Sequence, residues 1–280
     1  MKTIPFMKMN GCGNDFIVVD DRKEKLMKSF NLSDFVKHVC KRRVSVGADG
    51  VIVIKKSDKA DFIMRYFNAD GSEGEMCGNG ARCASMFAYL MGIVKSNMKF
   101  ETIAGIYESQ IKSENSVKVK FPRINIENIK LNQKYDFNGN IKDFHYALVG
   151  VPHIVLFEKN VKEIKDSDFI SMGRKIRYTA TLFPDGTNVN FIQVMDRHNI
   201  IIRTYERGVE DETFACGTGA TASAIVSGML DKVDSPVRVH TQGGILTVYY
   251  LLKGKYIDEV YLDGNVRIVV QGYLLPSSWE

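Results

Sequence analysis

The chain has 280 residues, 45% of them apolar and 25% charged, with a mild net charge of +5. That balance suits a soluble chain of one large or two medium domains. No basic stripe interleaved with aromatics points to nucleic acid, and no apolar run suits a signal peptide or membrane helix. Five cysteines, at 12, 40, 77, 83 and 216, form no CxxC pair, which fits free thiols in a reducing cytoplasm and gives no metal-ligand spacing.

Lys8-Met9 leads into the turn-rich segment Asn10-Gly11-Cys12-Gly13-Asn14-Asp15 and then a strand at 16–20. A glycine-rich loop ahead of a strand has the wrong order for a dinucleotide site, which follows a strand and opens a helix. Ser33 is the expected N-cap of a helix over 34–42 that buries Phe35, Val36, Val39 and Cys40, with His38 on the surface. Strands are expected at 51–55 and 61–67, and residues 68–72 turn the chain toward a helix that opens at Cys77 and runs to Met91. Strands at 99–102, 107–112 and 117–121 follow. Beyond Pro122, strands at 144–149 and 154–157 flank Gly150-Val151-Pro152-His153, and Asp166-Ser167 caps a helix over 168–176. Phe183–Gly186 turns the chain toward Asn188 and a strand at 191–195; a hairpin at 196–199 leads to a strand at 200–205. After a helix from Cys216 to Leu230 come strands at 237–241, 245–251 and 259–262. The last run, 266–274, exceeds what this half needs and is expected back on the first half's sheet.

Cys77-Gly-Asn-Gly-Ala and Cys216-Gly-Thr-Gly-Ala are two copies of one helix start, offset by 139 residues (77 to 216). The same offset carries Thr102 onto Thr241 and Gly105 onto Gly244. Upstream it slips by one, so that Arg65 matches Arg203 and Asn68 matches Glu206. A match extending through a strand before the motif and a Thr-x-x-Gly after it reads as a duplicated half. Both helices are apolar nearly all round, whereas a surface helix carries one apolar stripe, so both are expected to be enclosed. The expected fold is therefore α/β (α+β). It has two pseudo-symmetric halves, each a curved, mainly antiparallel sheet wrapped around a central helix. The first half spans 1–120 plus 265–280 and carries Cys77; the second spans 121–264 and carries Cys216.

A helix start offers unpaired N–H groups and a positive dipole end, which attract a carboxylate and favour thiolate over thiol. Glycine after each cysteine lets a ligand approach the backbone. Two such ends facing each other would grip one carboxylate and flank its neighbouring carbon with two thiols. One thiolate would remove a proton while the opposite thiol returns one to the other face, inverting the centre without cofactor. The enolate-like charge would meet oriented N–H donors. Cys12, Cys40 and Cys83 read instead as small core residues.

At these residues the chain closely resembles the diaminopimelate epimerases, nearly end to end. The resemblance rests on Gly-Cys-Gly-Asn14-Asp-Phe, Val-Gly-Ala-Asp-Gly (46–50), Phe-Asn68-Ala-Asp-Gly-Ser-Glu, Cys77-Gly-Asn-Gly-Ala-Arg-Cys, Pro152-His153, Asn188, Glu206-Arg207-Gly and Ala-Cys216-Gly-Thr-Gly-Ala. It implies an isomerase of lysine and cell-wall precursor synthesis, with the active site in a cleft between the halves. It implies Cys77 and Cys216 as the acid/base pair, tuned by His153 and Glu206. It also implies substrate contacts from Asn14, Asn68, Gly78, Asn79, Asn188, Glu206, Arg207, Gly217 and Thr218, with neither cofactor nor metal. The partner is then a small amino-acid substrate, and a homodimer is allowed but not required. Where many members have Asn before the Pro-His pair this chain has Val151, which loosens one implied contact at the far end of the substrate. Two alternatives stand beside this: a two-thiol racemase acting on another substrate, such as lanthionine or a single amino acid, and a thiol redox or metal-responsive protein.

Overall fold

A computed structural model of the protein describes residues 3–24, 26, 31–136 and 141–279. The chain forms two compact units: Met1–Lys120 with Asp263–Glu280, and Phe121–Leu262.

The first unit runs β1 (Ile4–Gly11), β2 (Asn14–Asp20), α1 (Leu32–Val39), β3 (Gly50–Lys55), β4 (Phe62–Asn68), β5 (Glu73–Gly74), α2 (Gly78–Leu90), β6 (Asn97–Thr102), β7 (Gly105–Ser113) and β8 (Ser116–Lys120). The second runs β9 (Ile124–Asn125), β10 (Ile129–Asp136), β11 (Ile141–Val149), β12 (Val151–Phe157), α3 (Asp166–Arg177), β13 (Asn188–Asp196), β14 (Asn199–Glu206), β15 (Asp211–Thr213), α4 (Gly217–Met229), β16 (Val237–Thr241), β17 (Gly244–Lys253) and β18 (Tyr256–Asn265). A last strand, β19 (Arg267–Leu274), returns to the first unit and pairs antiparallel with β1.

The pairing is the same in both units. Most neighbours are antiparallel, but β2–β3 and β4–β6 are parallel in the first, and β12–β13 and β14–β16 are parallel in the second. Parallel neighbours need a crossover, and the crossovers are α1 and α2 in one unit and α3 and α4 in the other.

Side-chain alternation then divides each sheet between two helices. In the first unit Phe16, Val18, Ile52, Ile54 and Met64 face α2, packing on Ala81, Ala84, Met86 and Phe87. The intervening Ile17, Val19, Val51 and Val53 face α1 through Phe35, Val36 and Val39. Each such buried side chain contributes roughly 1.5–3 kcal/mol, which outweighs the modest helix propensity of either segment. In the second unit Ile154, Leu156, Val189 and Phe191 pack on Phe169 and Ile176 of α3. There α4, buried from Gly219 to Ser227, touches β11 to β14, β16 and β17.

Two helix ends differ from expectation. The N-cap of α1 is Asn31, whose side chain accepts from Ser33 N at 3.1 Å, and the helix stops at Val39. Asn31 caps two residues earlier than Ser33 would, taking the N–H of Ser33 itself, and Arg42 leaves the helix to bind Asp15 and Asp49. Helix α3 takes Asp166 into its first turn instead of using it as a cap, because that carboxylate binds Arg203 at 2.8 Å. Strand β1 has no clear alternation in sequence, while β10 alternates but carries few apolar residues; pairing supplies the backbone of both with partners.

Candidate active site

Cys77 and Cys216 are the N-caps of α2 and α4, both with extended backbone. The thiol sulfur of Cys77 accepts from Gly80 N at 3.4 Å, and that of Cys216 accepts from Gly219 N at 3.4 Å. The N–H groups of residues 78, 79, 217 and 218 fall in first turns, where a helix supplies no acceptor of its own. The duplication persists beyond the cap. Thr102 Oγ1 donates to Gly105 O at 3.0 Å, and Thr241 Oγ1 donates to Gly244 O at 2.8 Å. Both glycines have positive φ, +122° and +141°, a conformation strained for any residue with a side chain.

Around Cys216 the second unit assembles a polar group. Glu206 ends β14 and accepts from Thr213 Oγ1 at 2.9 Å. Burial pushes its carboxyl above the usual range, against hydrogen bonds to Thr213 and to the Cys216 thiol that pull it down. Thr218 Oγ1 lies 3.5 Å from Cys216 Sγ. Asn188 pairs with His153 across β12 and β13, donates to Pro152 O at 3.1 Å and accepts from Arg207 N at 2.8 Å. The Arg207 guanidinium donates to Asp185 O at 3.1 Å. His153 is fully buried, and its Nε2 has no hydrogen-bond partner among the described residues. Burial, with the positive charge of Arg207 adding, pushes this imidazole down to about 3, so it is neutral.

The first unit surrounds Cys77 differently. Arg82, one helical turn on and fully buried, donates to Asn79 Oδ1 at 2.7 Å. Asn79 donates to Asn14 Oδ1 at 2.7 Å, and Asn14 donates to Asp49 at 3.0 Å. Asp49 and Asp15 share Arg42, and Lys8 closes on Asp15 at 3.0 Å. Asn14, Asn79 and Arg82 therefore belong to one network at the start of α2, the helix that Cys77 caps. Asn68 lies apart from that network, at the end of β4, accepting from Tyr66 at 2.6 Å and donating to Ser72 at 3.1 Å.

The remaining cysteines lie in packed surroundings. Cys83 and Cys40 are buried and their thiols are pushed up, Cys40 to about 12, by desolvation first. Cys12 is buried in a left-handed turn with its thiol 3.8 Å from Asn265 O. Among the described residues no cluster of three His, Cys, Asp or Glu could hold a metal, and no helix is long and apolar enough to cross a membrane.

Sequence reasoning missed Asn190, Thr204, Asp49 and Arg82. Asn190 had a signal: Asn188-Val189-Asn190 puts two amides on one face of a strand. A second amide at a core position asks for a partner, and it has three: His153, Ile154 and Thr204.

The family model for diaminopimelate epimerase matches residues 6–126 and 145–269. The diaminopimelate epimerase of Aquifex aeolicus is 44% identical, covering 98% of this chain and 99% of the relative. That of Chlorobaculum tepidum is 41% identical, covering 94% and 98%. Among solved structures, a phenazine biosynthesis protein of the PhzF family from Bacillus anthracis aligns with a TM-score of 0.72 at 16% identity, covering 98% of this chain and 100% of that one. A probable proline racemase from Agrobacterium radiobacter aligns at 0.70 and 13%, covering 99% and 95%. These two likenesses establish the shared fold. With the family model spanning most of both units and relatives above 40% identity along nearly the whole chain, the protein belongs to the diaminopimelate epimerase family.

Proposed function

We propose that this protein epimerises LL-diaminopimelate to meso-diaminopimelate, with Cys77 and Cys216 as the two acid/base groups. The observation that carries the reading is the repeated cap: two cysteine sulfurs, each held 3.4 Å from the third N–H of an enclosed helix. A sulfur that accepts an N–H at a helix start is better stabilised as thiolate than a free thiol would be. One thiolate takes the α-proton as the other thiol delivers a proton to the opposite face. The negative charge moving onto the α-carboxylate is met by the N–H groups of Gly78, Asn79, Gly217 and Thr218. Donors fixed in place before the reaction need no reorganisation as charge develops.

The second thiol has its own base in this proposal. Glu206 hydrogen-bonds Cys216, and burial raises its carboxyl, which favours it as the group that exchanges a proton with that thiol. Asn14, Asn68, Asn188 and Arg207 bind the ends of the substrate that do not react, with Arg207 offering a bidentate fork to a second carboxylate. His153 acts on the anionic centre as a neutral donor. The chemistry needs no metal or pyridoxal phosphate, because helix-start donors supply the stabilisation. Lysine and cell-wall precursor synthesis in the cytoplasm is the corresponding place for it, and five cysteines outside any disulfide suit a reducing compartment. A homodimer is part of the proposal, supported by Ile268, Val269, Val270 and Tyr273, all exposed on β19. Light scattering of the purified chain reads it directly.

The deciding experiment follows α-proton exchange by NMR in D2O over a panel of LL- and meso-diaminopimelate, lanthionine, proline and other single amino acids. Exchange and inversion of diaminopimelate are expected, surviving chelation. Inversion of a single amino acid with diaminopimelate inert would replace this reading by the racemase alternative.

A further inference from the structure

We propose that Asn190 is a positioning residue that fixes the tautomer of His153, leaving the ring proton on Nε2 so that the imidazole can only donate there. This rests on the two-thiol reading for its use in catalysis, but not for its geometry.

The assignment follows from donors and acceptors alone. Asn190 Nδ2 lies 2.8 Å from Ile154 O, a carbonyl that can only accept, so this end of the amide is the NH2. The other end, Oδ1, accepts from Thr204 Oγ1 at 3.0 Å. A flipped amide would set oxygen against oxygen at Ile154. The second N–H of Nδ2 therefore points at His153 Nδ1, 3.2 Å away. A ring nitrogen that accepts carries no proton, and a neutral ring must then carry it on Nε2. That Nε2 is buried and is one of five buried side-chain polar atoms without a partner among the described residues.

The first unit supplies an internal control. Its strands run in the same register, and the positions of His153, Asn190 and Thr204 are held there by Phe16, Ile52 and Tyr66. The match is confirmed at the helix: a Cβ on Gly80 would meet Ile52 Cδ1 at 3.3 Å, and one on Gly219 would meet Asn190 Oδ1 at 2.4 Å. The fold thus closes with apolar residues at these positions. A buried polar trio with one donor left over is costly unless a ligand completes it.

The consequence is chemical. His153 cannot take a proton at Nδ1 without breaking the Asn190 bond, and Nε2 already holds one. It is therefore a hydrogen-bond donor to an anion, a thiolate or a carboxylate, and not the base that ionises a thiol. Asn190 also touches the α4 start through Gly219, whose N–H holds the Cys216 sulfur. One amide thereby orients both groups.

The test is a long-range 1H–15N correlation on the full-length 15N-histidine protein at neutral pH, with His153 assigned by loss of its signals in His153→Gln. The expected wild-type pattern is a bare Nδ1 and a protonated Nε2. Asn190→Asp, whose carboxylate accepts from Nδ1–H, is expected to reverse it and to lower kcat about tenfold or more with KM nearly unchanged. Thr204→Val keeps the amide's bond to Ile154 O and is expected to keep the wild-type tautomer. A protonated Nδ1 in wild type overturns the assignment without any variant. An unchanged kcat in a reversed Asn190→Asp overturns the catalytic use of the tautomer. Failure of the two-thiol reading shows separately, as epimerase activity retained by Cys77→Ser or Cys216→Ser.

Discussion

The two helix starts share a backbone and differ in almost everything that lines it. Cys77 and Cys216 cap with the same sulfur-to-N–H distance, and Arg82 and Thr221, at equivalent positions, both donate back to the first helical carbonyl, of Gly78 and Gly217. Beneath α2 lie Phe16, Ile52 and Tyr66, with Phe16 edge-on to Tyr66 at 5.9 Å. Beneath α4 lie His153, Asn190 and Thr204, linked by hydrogen bonds. At the strand end Asn68 stands where the second unit has Glu206. Duplication preserved the part that any anion would use, the N–H groups of a helix start. The side chains diverged to make one start amide- and guanidinium-lined and the other carboxylate- and imidazole-lined. Under the proposed two-thiol mechanism, acid/base groups that act in opposite directions gain from such different surroundings, because one must be able to lose a proton while the other holds one.

The largest expected effect treats the two starts as equals. Cys77→Ser and Cys216→Ser should each lower epimerisation by about 10²- to 10⁴-fold, the usual contribution of a general acid or base. Monitoring D2O exchange from each diastereomer separately would show which thiol serves which face. Near-wild-type turnover in either variant would end the equivalence.

The next replaces the polar lining of the second unit with an apolar one. A His153→Phe, Asn190→Leu, Thr204→Val variant should fold and lose epimerase activity, and it should also be less sensitive to acid. The sign follows from His153, whose folded value of about 3 lies below its ordinary 6.5. Between those values the unfolded chain binds a proton that the native one does not, so stability falls as pH falls. The loss approaches 1.4 kcal/mol per pH unit, or about 2 kcal/mol at pH 5 relative to pH 7. Urea midpoints of wild type and variant across that range should diverge by this amount; parallel curves would mean that His153 is protonated in the folded protein.

Equivalent glycines offer a sharper contrast of packing. Gly80→Ala meets two flexible tips, Met64 Cε at 3.2 Å and Ile52 Cδ1 at 3.3 Å, and Cys77 Cβ at an ordinary 3.4 Å, so its cost should stay within about 1 kcal/mol once helix propensity is counted. Gly219→Ala drives a methyl to 2.4 Å from an amide oxygen held by Thr204, and should cost about 1–3 kcal/mol. Equal costs would show that the Asn190 network yields as easily as a methyl group.

The smallest expected effect is a symmetric one. Thr102→Val and Thr241→Val each remove the same turn hydrogen bond and should each cost about 1 kcal/mol in urea unfolding, by nearly equal amounts. A large inequality would mean that the repeated turns carry different loads.

How much of this was legible in the sequence depends on the range of the interaction. Both helix starts and the antiparallel character of the strands came from patterns within about twenty residues, because N-capping, periodicity and turn chemistry are local, and the duplication came from comparing two such local patterns. The parallel neighbours β2–β3 and β12–β13 did not, since nothing in a strand's own residues says which distant strand lies beside it. Helix α1 was misplaced for the opposite reason: Asn31 and Ser33 are both good caps, and local chemistry alone does not choose between them.

The sequence by itself determined that two cysteines open two enclosed helices, because a Gly-rich start and an apolar face are written in consecutive residues. It also determined the family, through motifs spread along the whole chain. Only the tertiary structure decided that Asn190 meets His153, 37 residues away, and that Arg82 reaches through Asn79 to Asn14. Hydrogen bonds between side chains on different strands depend on register, and register is fixed by the burial of the whole sheet against its helices. That long-range condition, not any local signal, turned a duplicated backbone into two chemically different helix starts.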